Sequence, residues 1–205
     1  AYQRATSIYL VDRVVPMLPE RLSNQICSLR PNEEKLTFSA VFEITPVGEV
    51  KSEWYGKTVI LSDARFAYEE AQHIISSQSK TIPPKISLTS TESTVNDDVF
   101  QAILYLQTIA STRRKNRLKN GAINFNKHEV RFDLDDQNNP KSVLIKESKA
   151  ANHLIEEFML LANESVATYI GKRKQASPFV YRVHDEPDEE KLAQLARFAF
   201  GLGYK

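Results

Sequence analysis

Apolar and polar residues alternate with a period of two along residues 36–45 (LTFSAVFEIT) and again along residues 50–61 (VKSEWYGKTVIL). Successive strand side chains point to opposite faces, so these runs, with residues 46–49 as the turn, predict a β-hairpin with one wet face. Residues 6–11 (TSIYLV) are β-branched and aromatic and predict a short strand. Pro16 and Pro19 then hold an extended segment that turns helical at Glu20. Asp63 is placed to cap the turn before a helix over residues 68–76 (YEEAQHIIS).

Residues 77–95 are rich in Ser, Thr, Lys and Pro, with Pro83 beside Pro84, and predict a mobile loop. Asn96 and Asp97 start a long amphipathic helix running to Leu118, with Val99, Ile103, Leu106 and Ile109 on one face and Gly121 as its stop. AINF (122–125) and EVRFDL (129–134) read as strands, and the turn DDQNNP leads to SVLIKE (142–147) as partner. A second long helix is expected over residues 149–172, a strand or loop at PFVYRVHD, and a last helix from Asp188. No internal repeat is visible. The expected class is α+β: antiparallel hairpins packed with two long helices.

Composition adds boundaries. The 205 residues carry 27 Lys and Arg against 26 Asp and Glu, a net charge of +1. That balance is far from a basic coat for nucleic acid but leaves room for a locally basic channel. No apolar run reaches the roughly 18–20 residues that span a bilayer. A single cysteine, Cys27, excludes an internal disulfide and a multi-cysteine zinc site, and suits a reducing, cytoplasmic setting.

The candidate chemistry is sparse. Asp133, Asp135 and Asp136 have a spacing that can hold a divalent cation, but Asp and Asn also favour hairpin turns, and the glycine and later Glu of a calcium loop are missing. Glu156 and Glu157 stand among Leu154, Ile155, Phe158, Leu160 and Leu161. One of two adjacent carboxylates on so apolar a helix must meet apolar surroundings, where it needs a partner such as an Arg, or serves a function. The basic runs 113–119 and 172–174 end their helices, where solvated cations complement the dipole. Tyr9, Tyr68 and Phe125 read as single core aromatics; His184 has no Ser or Cys nucleophile near it.

Several stretches together carry more. RATSIYLVDRVVPMLPERLSNQICSLRP (4–31) resembles a signature of the ribonuclease R and ribonuclease II family, its ribonuclease R branch above all. ILSDARFAYEEAQ (60–72), NGAINF (120–125), HLIEEFMLLAN (153–163) and FVYRVHDEPD (179–188) resemble further family segments, in the same order. The resemblance implies a processive 3′-to-5′ exoribonuclease that hydrolyses single-stranded RNA with magnesium, and the middle of an RNB-type catalytic domain. The family's metal-holding aspartate motif is expected before residue 1, and its SPIRRY-type arginine element after Lys205. No metal site is therefore assigned to this chain, and the chain alone is expected to be inactive. The alternative is an inactive RNA-binding module or pseudo-enzyme of the same family.

By the same resemblance, Tyr9 packs on nucleotides near the 3′ end and Phe125 clamps the last bases from the other side. Tyr68 and one of Glu156 and Glu157, with Glu156 first, sense the ribose 2′-hydroxyl. Aromatic stacking holds any base, and a carboxylate that accepts from a 2′-hydroxyl separates RNA from DNA. Ala5 and Val11 stand where the family usually has Gly and Pro.

Overall fold

Four antiparallel strand pairs and four α-helices follow one another among the described residues of the computed structural model. These are all residues except 1, 4, 125–128, 174, 176, 177 and 205; the side chains of 129, 131 and 146 are also outside the description. Two compact units divide the chain, Ala1–Val166 and Ala167–Lys205.

In the first unit, β1 (Ile8–Tyr9) pairs with β2 (Val14–Val15). The expected strand over 6–11 shortens to two residues because the chain turns back, the Leu10 amide donating to the Arg13 carbonyl at 2.8 Å. A single π-helical turn, Arg21–Ile26, follows. The alternating runs form β3 (Glu34–Ile44) and β4 (Val50–Leu61), in register from Glu34 opposite Leu61 to Glu43 opposite Ser52, with a shift before Ile44 opposite Val50. The wet face is not the one that polarity predicts. At the open end Leu36 is 88% exposed and Phe38 73%, while Thr37, Ser39 and Thr58 on the opposite face bond one another and are half-buried.

Helix α1 (Tyr68–Ser77) starts without help from Asp63. Glu70 instead reaches back to accept from the Ala67 amide at 2.7 Å, half of a capping box. Its other oxygen accepts from the Leu88 amide at 2.8 Å. Two backbone donors thus satisfy a buried carboxylate and tie down the segment after the helix. Within that segment β5 (Thr81–Ile82) pairs with β6 (Ser93–Thr94). The core is the cluster of Ile74, Ile82, Val95 and Phe100, so both ends of the expected 77–95 loop feed it.

Helix α2 (Asp97–Lys119) is capped by Asn96, whose side chain accepts from the Val99 amide at 3.0 Å. Its inward positions are Phe100, Ile109 and Ala110, with Val99 and Ile103 partly buried; Leu106, expected on the same face, is 40% exposed. Packing against α1 rotates the buried stripe toward Phe100. The helix stops in a Schellman motif: Ala122 N–H bonds Arg117 C=O at 3.2 Å and Gly121 N–H bonds Leu118 C=O at 3.1 Å, with Gly121 at φ +95°. Residues 122–124 form no strand, contrary to the AINF expectation, and Phe125 lies outside the described residues.

Strands β7 (Glu129–Leu134) and β8 (Pro140–Lys146) make the second long hairpin. Helix α3 (Ala150–Gly171) carries the buried stripe Ala151, Leu154, Glu157 and Leu161. Gln72 of α1 accepts from the Ala151 amide at 3.1 Å, so α1 satisfies a first-turn donor of α3. In the second unit, residues 178–188 form no strand, and α4 (Glu189–Gly201) is capped by Asp188, which accepts from the Lys191 amide.

Gly48 and Gly121 both turn the chain at positive φ but under different constraints. At Gly121 a Cβ would meet nothing within 4 Å, whereas at Gly48 (φ +85°) it would lie 2.9 Å from Arg113 Cγ. Gly121→Ala is expected to cost about 1 kcal/mol of left-handed strain. Gly48→Ala adds the clash and is expected to cost at least about twice that. Urea unfolding of both variants checks this; equal losses would mean that Arg113 yields freely.

Candidate functional site

Glu157 is 2% exposed, in the middle of the α3 stripe. A carboxylate so placed needs a cation and hydrogen bonds in place of water. Arg117 of α2 supplies both: Nη2 donates to Glu157 Oε1 at 2.6 Å and Nε to the same oxygen at 3.1 Å. The same Nη2 donates to Glu156 Oε1 at 3.0 Å. Arg114 stands behind them, Nη1 lying 3.6 Å from Glu156 Oε2 and 3.8 Å from Glu157 Oε1. Two carboxylates are thus faced by two guanidinium groups. The hydrogen bond to Glu157 holds the Arg117 guanidinium above its ordinary pKa, against the opposing effect of burial.

The same turn of α2 reaches two other segments. Arg114 Nη2 donates to Asn124 Oδ1 at 2.9 Å, and Arg113 Nη1 donates to the Gly48 carbonyl at the tip of the β3–β4 hairpin at 2.9 Å. The basic run 113–117 is therefore not the solvated helix end that its position suggests: Arg113, Arg114 and Arg117 all hold partners elsewhere in the fold. One turn up α3, burial lowers the His153 imidazole from its ordinary value, and the charge on Arg114 lowers it further.

The two glutamates differ. Glu157 is enclosed, whereas the Glu156 side chain keeps 44% of its exposure. Tyr68 opens α1 and is 43% exposed. It borders an apolar groove of about 490 Å³ with Phe66, Ile103, Leu154 and Ile155, and a more polar groove of about 720 Å³ with Gln72, Ile145 and Lys149. Neither aromatic follows the core reading: Tyr9, on β1, is 79% exposed. The fold brings Glu156 and Glu157 into one cluster and places Tyr68 on a groove shared with the adjoining turns of α3. Tyr9 stands on a separate strand pair.

Asp135 belongs to the β7–β8 turn. Its Oδ1 accepts from the amides of Gln137 at 2.9 Å and Asn139 at 2.8 Å, and the Asn139 amide above all holds its carboxyl below the ordinary value. This is the turn reading of the aspartates, with Asn138 at φ +63°. Magnesium, implied by the resemblance, finds no fitting donors here. Asp135 is occupied by its turn, Glu157 is enclosed by guanidinium groups with Glu156 beside it, and among the described residues no three His, Cys, Asp or Glu side chains are grouped to hold a metal.

Sequence reasoning missed Arg114, Arg117 and Asn124. The signal for the two arginines was the demand of the Glu156–Glu157 pair for a cation; Asn124 had none. Arg117→Met is expected to cost about 3 kcal/mol, toward the low end for a broken buried pair because Arg117 is partly exposed. Adding Glu157→Met should recover most of it. A double variant as unstable as the single one, by chemical denaturation, would contradict the pairing.

Comparison with known proteins agrees with this architecture. The family model for the RNB domain matches residues 1–203. DIS3-like exonuclease 2 of Xenopus tropicalis is 38% identical over 99% of this chain and 24% of its own length. Ribonuclease R 2 of Lactococcus lactis is 36% identical over 100% of this chain and 29% of its own length, so the identities do not single out the ribonuclease R branch. The structure of Mycoplasma genitalium RNase R in complex with ribose-methylated single-stranded RNA superposes with a TM-score of 0.79 at 29% identity, over 97% of this chain and 29% of that one. The chain spans about a quarter of the length of these relatives. On the extent of these matches, the chain belongs to the RNB-domain family.

Proposed function

We propose that this chain is the RNA-holding part of a 3′-to-5′ exoribonuclease acting on single-stranded RNA, and that the magnesium-binding acids of the reaction lie outside it. The observation that carries the reading is the match of residues 1–203 to the RNB domain, supported by the likeness to an RNase R structure in complex with RNA. The chain's own residues hold the strand and read its sugar. The exposed ring of Tyr9 offers a stacking face that any base can use, as sequence-independent degradation requires. Phe125 is proposed as its counterpart by resemblance alone. Tyr68 lines two grooves and is proposed, by resemblance, to sense the ribose there.

Of the two glutamates, Glu156 is the one proposed to accept from the 2′-hydroxyl. Its carboxylate keeps surface and lone pairs to spare, while Glu157 is enclosed by α2 and α3 and satisfied there. A DNA strand has no hydroxyl to give, which makes Glu156 a selector for RNA. A reducing, cytoplasmic setting suits the single exposed thiol of Cys27.

This chain with magnesium is expected to leave a single-stranded oligoribonucleotide intact. Hydrolysis by a pure preparation that is lost in Asp135→Asn would overturn the proposal and return the hairpin acids as a site. In the longer protein, Tyr9→Ala is expected to change the length of the final product more than RNA affinity. An unchanged limit product would remove Tyr9 from the clamp.

A further inference from the structure

Charge balance accounts for Arg114 beside Glu156 and Glu157, but not for its second partner on another segment. Its side chain is only 18% exposed, so little of the guanidinium faces outward to meet a phosphate. One nitrogen, Nη2, donates to Asn124 Oδ1 at 2.9 Å, while Nη1 lies 3.6 Å from Glu156 Oε2. Glu156 and Asn124 stand on different segments: α3, and the short stretch released by the Gly121 turn. The planar fork of an Arg can serve both at once, which a Lys ammonium cannot do with fixed geometry. Arg117 cannot replace it, because the Nη2 that reaches Glu156 also serves Glu157.

We infer that Arg114 is a positioning residue that locks the Glu156 carboxylate to the 120–124 segment, so that selection for the ribose 2′-hydroxyl depends on a guanidinium that touches no RNA. This rests on the reading of Glu156 as the group that accepts from the 2′-hydroxyl. With Arg114 in place, Glu156 Oε1 is held by Arg117 and Oε2 by the charge of Arg114. The carboxylate is therefore fixed in direction, with acceptor capacity left for one more donor. Without Arg114 it pivots about a single shared contact. Asn124 loses its tether in the same step.

The test is fluorescence anisotropy of this chain with labelled oligo(A) RNA, its 2′-O-methyl form and oligo(dA), over a range of salt. For Arg114→Gln the preference for RNA over DNA is expected to fall about tenfold, the worth of one charge-assisted hydrogen bond. Affinity for oligo(dA) should fall by less than about twofold, and the salt slope should hold. The 2′-O-methyl strand, which has no proton to donate, should bind like DNA in both proteins. Asn124→Ala, an exposed change, should give part of the same loss, and it carries the test if Arg114→Gln melts early.

Equal weakening for RNA and DNA, with a salt slope smaller by about one, would make Arg114 a phosphate contact and overturn the inference. So would an intact preference in both variants. Glu156→Ala separates the two levels. If it leaves the preference intact, the reading of Glu156 fails; if it lowers the preference while Arg114→Gln and Asn124→Ala do not, only the coupling fails.

Discussion

Glu157 sits between Leu154 and Leu161 on the stripe by which α3 packs inward, and a carboxylate there costs several kcal/mol unless a cation and hydrogen bonds replace its lost water. Much of the local architecture answers that demand. Arg117 has to stand opposite, which fixes the rotation of the last turns of α2 against α3. Once that rotation is set, Arg114 falls beside Glu156 and Arg113 falls under the tip of the β3–β4 hairpin. Three arginines within five residues thus distribute one helix end among three other segments.

The fold contains a second buried acid with the opposite solution. Glu70 is 4% exposed and is satisfied by the neutral amides of Ala67 and Leu88. Backbone amides cannot move independently of the chain, so this acid organises the local path from α1 into β5 and β6. Glu157 uses side chains, and organises contacts between helices far apart in sequence. The first arrangement builds the core beside Tyr68; the second holds Glu156 at the surface.

Much of the scaffold was legible in the sequence, for reasons that are local. Period-two alternation located β3 and β4, the Asn96 cap and the Gly121 stop bounded α2 to within a residue, and Asp188 announced α4. The misreading of the basic run has one physical cause, partners remote in sequence. Nothing in residues 113–119 shows that their cations meet carboxylates about 40 positions later, so a solvated helix end was the sensible local reading. The exposed apolar face of the first hairpin is a separate case, since alternation gives two faces without saying which one the fold covers. At the site, the Glu156–Glu157 pair declared that one acid would be buried, but only packing could decide that it is Glu157.

Helix α2 works as a ruler between two kinds of order. Near its start Phe100 is set in the apolar cluster, and near its end Arg113, Arg114 and Arg117 meet their partners. Between them the backbone is an uninterrupted helix, with side-chain directions advancing by about 100° per residue. One residue added or removed between Ala110 and Arg113 would leave Phe100, Ile109 and Ala110 in place and swing all three guanidiniums off their targets together. The spacing from the core to the arginines is therefore as much a part of the site as the arginines themselves.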